Sequence, residues 1–388
     1  MDSPHNHDEP QARGRDEPKK NARRYQCVTE TLRQRLAEGS WRPGDKLPTL
    51  RDLASEFKVS TNTVRSAIRV LEREGHLHHI HAVGTFVRPA FPTQTSTRQT
   101  TIGLVIPDIG GPFAMFVARG VEQACQARSW GLQIYDDRRN PQLEVDNLAR
   151  LATSGAVGAV ILPTCDAVAI ESLFKLKLSG FPFVLVDRRV RGLNVDSVES
   201  DHEKGAHMAT EYLLQQGHRR IMIVMYPPDI SPVEARLRGY ERALVNCGLV
   251  PLPEWRVVLE PPGPISEGEE FEPWAPACQA VRPVLQKVEL PVGIFGLNEF
   301  ITWGVLEACR ELGLRVPQDV SVVCFDNSVI SRAMSPPMTA VAQRDTELGR
   351  CAVGLLERRL NSPGIEPQQV VLQVELIKRQ SVAPVTCG

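Results

Sequence analysis

The sequence predicts an α/β protein in two parts: a small N-terminal winged helix-turn-helix, then a large body of Rossmann-like parallel sheets covered by helices on both faces. Three observations carry this. Residues 49–87 hold two short amphipathic segments separated by a polar break and followed by a hairpin pattern. From Thr101 onward, short apolar runs alternate with amphipathic stretches, which is how strands joined by covering helices into parallel sheets read. Between the two, RPAFPTQTSTRQT (residues 88–100) has no apolar period and reads as a linker. A chain of 388 residues is long enough for two or three domains with substantial cores.

Taken in order, residues 1–24 are polar, rich in Pro, Asp, Glu, Lys and Arg, and lack periodicity, so they are expected to be a disordered tail. Tyr25, Val28, Leu32 and Leu36 then share one face of a helix that Gly39 stops. Thr49 stands three residues before Asp52, the spacing at which a hydroxyl and a carboxylate satisfy the free amides of a helix start. Leu50, Leu53, Ala54 and Phe57 give that second helix its apolar face. After a break at residues 58–60, Val64, Ala67, Ile68 and Leu71 recur at helical spacing, leaving Thr61, Asn62, Arg65 and Arg69 outward. Residues 77–80 and 84–87 read as a hairpin with its tip at 81–83. A second helix whose exposed start carries hydroxyls, an amide and guanidinium groups suits a DNA major groove. The periodicity fits equally a small scaffold with solvated arginines.

The motif text separates the two. RPGDKLPTLRDLASEFKVSTNTVRSAIRVLEREGHL followed by GTFV closely resembles the DNA-binding domain of the GntR family over residues 25–87. The resemblance implies a phosphate or base contact for Arg51, recognition-helix positions for Ser60, Thr61, Asn62, Thr63 and Arg65, and wing positions for His81, Gly84 and Thr85. One departure stands at the wing tip, Ala82-Val83-Gly84, where the family carries a basic residue.

In the second part, residues 102–106, 132–135, 156–162, 181–186, 221–225, 292–295 and 320–324 read as strands, enough for two sheets, with helices between them such as 113–130 and 143–153. Ligands of open parallel sheets sit beyond the carboxyl ends of the strands. Four polar pairs follow strands there: Pro107-Asp108, Asp187-Arg188, Asn298-Glu299 and Asp326-Asn327. Any one of them reads first as a cap for the next helix, and the four together read as the rim of a polar cleft.

IGLVIPDIGGPF, FVLVDRR, VESDHEKGAHMATEYLLQQGHRRI, ARLRGYERAL, and VPQDVSVVCFDN with PPMTAVAQRDTELGRCAVGLL resemble the effector-binding and dimerisation domain of the LacI family, related in fold to periplasmic binding proteins. A GntR-type reader joined to such a domain resembles the arabinose-repressor type of regulator. The resemblance implies that Arg236 grips the effector, Asp326 accepts hydrogen bonds opposite it, Asn298 supplies a cleft amide, and Phe113 lies near an aromatic slot, with Asp187 and Arg188 at the cleft edge; Asp108 of the polar rim is counted with the effector-binding residues. It further implies lobes of about 101–198 plus 337–362, and 199–336 plus 363–388. Departures are Glu299 where aspartate is usual, Cys324 where glycine is usual, and Gly110-Gly111 where Ser-Asn is common. Residues 261–276, acidic and proline-rich, read as an exposed loop.

The function expected is a ligand-responsive repressor of carbohydrate-utilisation genes. It would act as a homodimer on palindromic double-stranded operator DNA, releasing it when a small sugar closes the cleft. A purine or nucleoside effector is the alternative. No cofactor or metal is expected. Net charge is −1, so basicity is local to the reading surface. The nine cysteines show no CxxC spacing and read as reduced core thiols. There is no apolar run of membrane-spanning length and no hydrophobic leader, so a cytoplasmic location is expected. An enzyme using pyridoxal phosphate would need a lysine for the Schiff base, and none of Lys175, Lys177, Lys204, Lys287 or Lys378 sits in a cofactor motif.

Overall fold

The computed structural model describes residues 17–80, 83–88, 100–165, 167–261, 263–265 and 272–385, with side chains from Tyr25 onward. It divides into two compact units, residues 1–97 and 98–388.

In the first unit α1 spans Glu17–Ala37, so it starts eight residues before Tyr25. Residues 17–24 therefore belong to a helix rather than to a structureless tail. EPKKNARR is made largely of good helix formers, which extend a helix once Val28 and Leu32 anchor it in the core. The helix ends before Gly39, which takes the left-handed conformation at φ 76°. Helix α2 (Leu50–Glu56) opens with the reciprocal cap read from Thr49 and Asp52. Helix α3 (Thr61–Arg73) is capped by Ser60, whose side chain accepts from Thr63 N. Strands β1 (Leu77–Ile80) and β2 (Gly84–Val87) pair antiparallel from Leu77↔Val87 to Ile80↔Gly84. Leu32, Leu53, Val64, Ala67 and Leu71 are fully buried in the core that joins the three helices to the hairpin base.

The second unit runs β3 (Thr101–Ile106), α4 (Pro112–Ala127), β4 (Gly131–Asp136), α5 (Pro141–Thr153), β5 (Ala159–Ile161), α6 (Ala167–Leu178), β6 (Phe183–Val186), β7 (Asp196–Ser200), α7 (His202–Gln215), β8 (Ile221–Met225), α8 (Ser231–Asn246), β9 (Arg256–Val258), α9 (Ala275–Leu285), β10 (Val292–Gly296), α10 (Glu299–Glu311), β11 (Val320–Phe325), α11 (Val329–Ala333), β12 (Thr339–Ala342), α12 (Asp345–Asn361), β13 (Gln369–Leu372) and β14 (Glu375–Ile377). One lobe carries the sheet β13-β7-β6-β5-β3-β4, parallel throughout. The other carries β14-β12-β11-β10-β8-β9, parallel except where β14 runs against β12.

The chain passes between the lobes three times, at Asp201, at residues 343–344 and at residues 373–374. These crossings correct the lobe boundaries read from sequence. Residues 337–342 lead into and form β12, which pairs with β11 in the second lobe. The run QVVLQVEL looks like one strand but is two, because the chain leaves the first sheet after Leu372 and enters the second at Glu375. The boundary at 198 cut through β7, whose sequence DSVES has no apolar signature. That strand is buried because Arg358 and Arg359 of α12 pair with Asp196 at 3.4 and 2.8 Å, and Gln368 N donates to it at 2.8 Å. In the first lobe α4 and α12 approach closely through Gly120 and Gly349, each of which lies against backbone of the opposite helix.

Candidate functional site

On the first unit, Thr61, Asn62, Arg65 and Arg69 are exposed along α3, and Arg51 is exposed at the start of α2. Arg65 Nη1 donates to Asn62 Oδ1 at 2.8 Å, which holds the guanidinium and the amide together on the outer face. Thr63 is a correction. It is 8 % exposed and its hydroxyl lies 2.9 Å from Ser60 Oγ, so it faces inward and helps build the helix start. Ser60 is exposed but engaged as the cap. In the wing, Thr85 Oγ1 lies 3.2 Å from His79 Nδ1. His81 and Ala82 lie outside the described residues.

In the second unit the polar residues after the strands divide in two. Asn298 does what a polar residue before a helix ordinarily does: its Oδ1 accepts from Ile301 N at 2.8 Å and caps α10. Asp187 and Asp326 do not cap. Both hold left-handed backbone, φ 63° and 81°, a conformation that costs free energy in a non-glycine residue and turns their carboxyls out of the helical path.

These two carboxyls flank a buried cation. Arg236 on α8 is 7 % exposed. Its Nη1 donates to Leu297 O at 2.6 Å, its Nε and Nη2 lie 3.4 and 3.3 Å from His202 Nδ1, and its guanidinium carbon stacks 3.7 Å above the Phe325 ring. An arginine can only donate, so Nδ1 of His202 accepts and its proton sits on Nε2, which is 3.1 Å from Asp187 Oδ1. Burial, reinforced by the Arg236 charge, lowers the His202 pKa and keeps the ring neutral, although Asp187 pulls the other way. Burial would raise the Asp187 carboxyl, but His202, Arg236 and Arg188 together hold it below the usual carboxylate range. Asp187 belongs to the first lobe, and His202 and Arg236 to the second, so this relay spans the interlobe boundary.

Asp326 is raised by burial to about 6 against the pull of Arg236, and Gln343 Nε2 donates to it. Two further acceptors at the second crossing were missed by sequence reasoning. Asp345, first residue of α12, is raised by burial and by the charges of Asp326, Asp187 and Glu299 to about 8. Its Oδ1 and Gln343 Oε1 are buried and lack a hydrogen-bond partner among the described residues. Both follow β12, but its short run TAVA was not read as a strand, so the polar residues after it carried no strand-end signal. Glu299 is not a cleft residue: its carboxylate accepts from the Ser328 and Ser331 amides at 2.6 and 3.1 Å and ties α10 to α11.

The remaining expected residues are placed as follows. Asp108 accepts from Gly110 N at 2.8 Å and pairs with Arg139. Arg188 Nη1 donates to Pro163 O and Thr164 O at 2.7 and 3.3 Å and so orders the loop after β5. Phe113 is half-buried against the first-lobe core at the start of α4. Asp326, Asp187 and Arg236 are thus brought together. Asp108 and Arg188 are engaged within the first lobe.

The chain thus carries a helix with an exposed polar start on one unit and a buried set of charged side chains between two parallel-sheet lobes on the other. Residues 24–87 match the family described as bacterial regulatory proteins, gntR family. Residues 210–382 match the periplasmic binding protein-like domain. The chain is 28 % identical to the arabinose metabolism transcriptional repressor of Geobacillus stearothermophilus, over 92 % of this chain and 97 % of that one. It is also 28 % identical to the ribose operon repressor of Haemophilus influenzae, over 87 % and 99 % of the two chains. The same identity and shares hold for the transcriptional repressor PurR of Histophilus somni. Among solved structures, a LacI family transcriptional regulator from Enterococcus faecium with bound ribose matches at 27 % identity and TM-score 0.61, covering 74 % of this chain and all of that one. The chain thus matches a gntR-family DNA-binding domain joined to a periplasmic binding protein-like domain, the build of a DNA-binding transcriptional regulator.

Proposed function

We propose that this regulator represses carbohydrate-utilisation genes, that its effector is a small sugar held between the lobes, and that sugar binding releases operator DNA. The observation that carries the reading is the cleft chemistry. Arg236 offers a forked donor, while Asp326, Asp345 and Gln343 present acceptor oxygens, one each of Asp345 and Gln343 without a partner among the described residues. A buried site of this composition suits a ligand bearing many hydroxyls, each able to donate and accept. The relatives named for arabinose and ribose, and the ribose-bound neighbour, support the same class. A purine or nucleoside effector draws support from the PurR relative.

In this reading residues 25–87 form the reader and 101–388 the sensor. Arg51, Ser60, Thr61, Asn62, Arg65 and Thr85 meet the DNA. Arg236, Asp326 and Asn298 meet the effector, with Asp108, Phe113 and Arg188 shaping its surroundings. Two copies pair through the sensor, which exposes apolar residues at Met115 on α4 (49 %), Ile134 on edge strand β4 (47 %) and Val329 on α11 (62 %). A two-fold pair reads a palindromic site. The setting is the cytoplasm, and no helix among the described residues is long and apolar enough to cross a membrane. Only a ligand that favours one lobe arrangement shifts the DNA-binding equilibrium.

The test is a thermal-melting screen of the full chain against pentoses, hexoses, sugar acids, nucleobases and nucleosides. A ligand at about 100 times its Kd stabilises the sensor by about 2.7 kcal/mol. A shift with a sugar that Asp326→Ala abolishes supports the reading. A shift confined to nucleobases or nucleosides replaces it with the purine reading.

A further inference from the structure

The hairpin wing has no cation of its own. Residues 77–87 read LHHIHAVGTFV, without lysine or arginine. A wing beside a recognition helix nonetheless meets a phosphate backbone, and lysine and arginine carry such contacts. The segment before α2 supplies one. Residues 44–47 run antiparallel beside β2: Gly44 N and Leu47 N donate to Val87 O and Thr85 O at 2.9 and 2.8 Å, and Val87 N donates to Asp45 O at 2.9 Å. Lys46 bridges to Phe86.

The bridge to Phe86 and the burial of Leu47 fix where Lys46 points. Leu47 is buried in the core with Leu77 and Val87. Lys46 therefore lies on the opposite face of the wing, the face shared by His78, Ile80, Gly84 and Phe86. Its stem runs along that face toward the tip. A Cβ placed on Gly84 would stand 2.5 Å from Lys46 Cε and 3.3 Å from Nζ. Any side chain at 84 would therefore displace the lysine, and the glycine is also held at φ 142°. Lys46 is exposed, and no carboxylate lies within ion-pair distance of it among the described residues. Arg33 and Arg35 of the same unit are instead paired with Glu74 and Glu56.

We propose that Lys46 is a DNA-contacting residue of the wing: its ammonium, carried over Gly84 toward the tip, makes the cationic phosphate contact for which the hairpin itself has no lysine or arginine. Gly84 then serves as the bed for the lysine stem and reads no base. A stem laid against the sheet also loses less rotamer freedom on binding than a free surface lysine would. The inference rests on the gntR-type reading of this unit.

The test uses the full chain and a duplex recovered from a random-sequence library by the wild type, with an unrelated duplex of equal length as the non-specific partner. Affinity is followed by fluorescence anisotropy between about 50 and about 200 mM salt, with unfolding of each variant recorded alongside. Lys46→Gln is expected to weaken binding to both duplexes by about three- to tenfold and to lower the salt slope by about one. Lys46→Arg retains wild-type behaviour, and Val83→Lys in the Lys46→Gln background restores the slope. Gly84→Ala weakens binding similarly but adds little once Lys46 is gone, because both changes remove the same contact. Wild-type affinity and slope in Lys46→Gln overturn the inference, as does a Gly84→Ala loss that persists undiminished in the Lys46→Gln background. Loss with Arg65→Ala but not with Lys46→Gln overturns the Lys46 contact alone. Loss with neither overturns the reading surface itself, and Lys46 with it.

Discussion

Arg236→Ala tests the sensor at its centre. The side chain donates to Leu297 O at 2.6 Å, faces His202 Nδ1 at 3.3 to 3.4 Å, covers the Phe325 ring at 3.7 Å, and offsets the charges of Asp326 and Asp187. Truncation leaves a carbonyl and a ring nitrogen without donors and two carboxyls without their cation. Removing one partner of a buried charged set costs about 3–5 kcal/mol. For a unit of this size each kcal/mol lowers Tm by roughly 2–4 °C, so a fall of about 10 °C is expected. Effector affinity should fall by at least about 100-fold, since each charge-assisted hydrogen bond lost is worth about 1.5–3 kcal/mol. The pH dependence carries a sign. Asp187 is held below the usual carboxylate range, so its contribution is present above that range and lost as pH falls through the depressed value. Without Arg236 the depression shrinks, and the Tm deficit should be larger at neutral pH than near about pH 4. Differential scanning calorimetry across pH, with effector titrations, reads both effects. An Arg236→Ala protein that melts with the wild type at every pH and binds the effector unchanged would refute the relay.

Three other outcomes follow from the same geometry. Arg65→Ala should weaken operator binding by about 1–3 kcal/mol in an anisotropy assay and leave effector affinity within error. Asp345→Asn should flatten the stability profile between about pH 4 and about pH 8. Burial raises the folded pKa of Asp345 to about 8, so its contribution is full below the ordinary carboxylate value and fades as pH rises through about 8. The Tm gap between variant and wild type should therefore widen in the variant's favour from about pH 4 to about pH 8 and level off above it, while a slope from Asp137, also raised by burial to about 8, remains. Gly349→Ala places a Cβ 2.2 Å from Val117 O on the facing helix, and should cost about 1–3 kcal/mol in a denaturant titration. Gly354→Ala meets nothing within 4 Å and should be neutral or stabilising.

The first unit was legible nearly residue by residue, because its signals are local. The cap at Thr49, the period of Val64, Ala67, Ile68 and Leu71, and the hairpin at 77–80 and 84–87 each depend on neighbours within a few positions. Thr63 was misplaced because a hydroxyl at a helix start reads alike whether it faces a groove or the cap. In the second unit the central strands were legible from their apolar runs, whereas β7 and the β13–β14 switch were not. Their burial depends on partners far away in sequence: Arg358 and Arg359 for Asp196, and β12 for β14. The same holds for the site. Arg236 and Asp326 come from motifs, but His202 as the link between lobes, and Asp345 and Gln343 as acceptors, exist only once three crossings bring the lobes together.

The most direct test of the central claim is whether effector and DNA binding are coupled in one molecule. A sugar identified in the melting screen is titrated into the wild-type chain bound to its selected duplex, and duplex affinity is measured at saturating sugar and without it. The account predicts that DNA affinity falls by about 5- to 150-fold, and that the duplex weakens sugar binding by the same factor. A sugar that binds tightly yet leaves duplex affinity unchanged would contradict it.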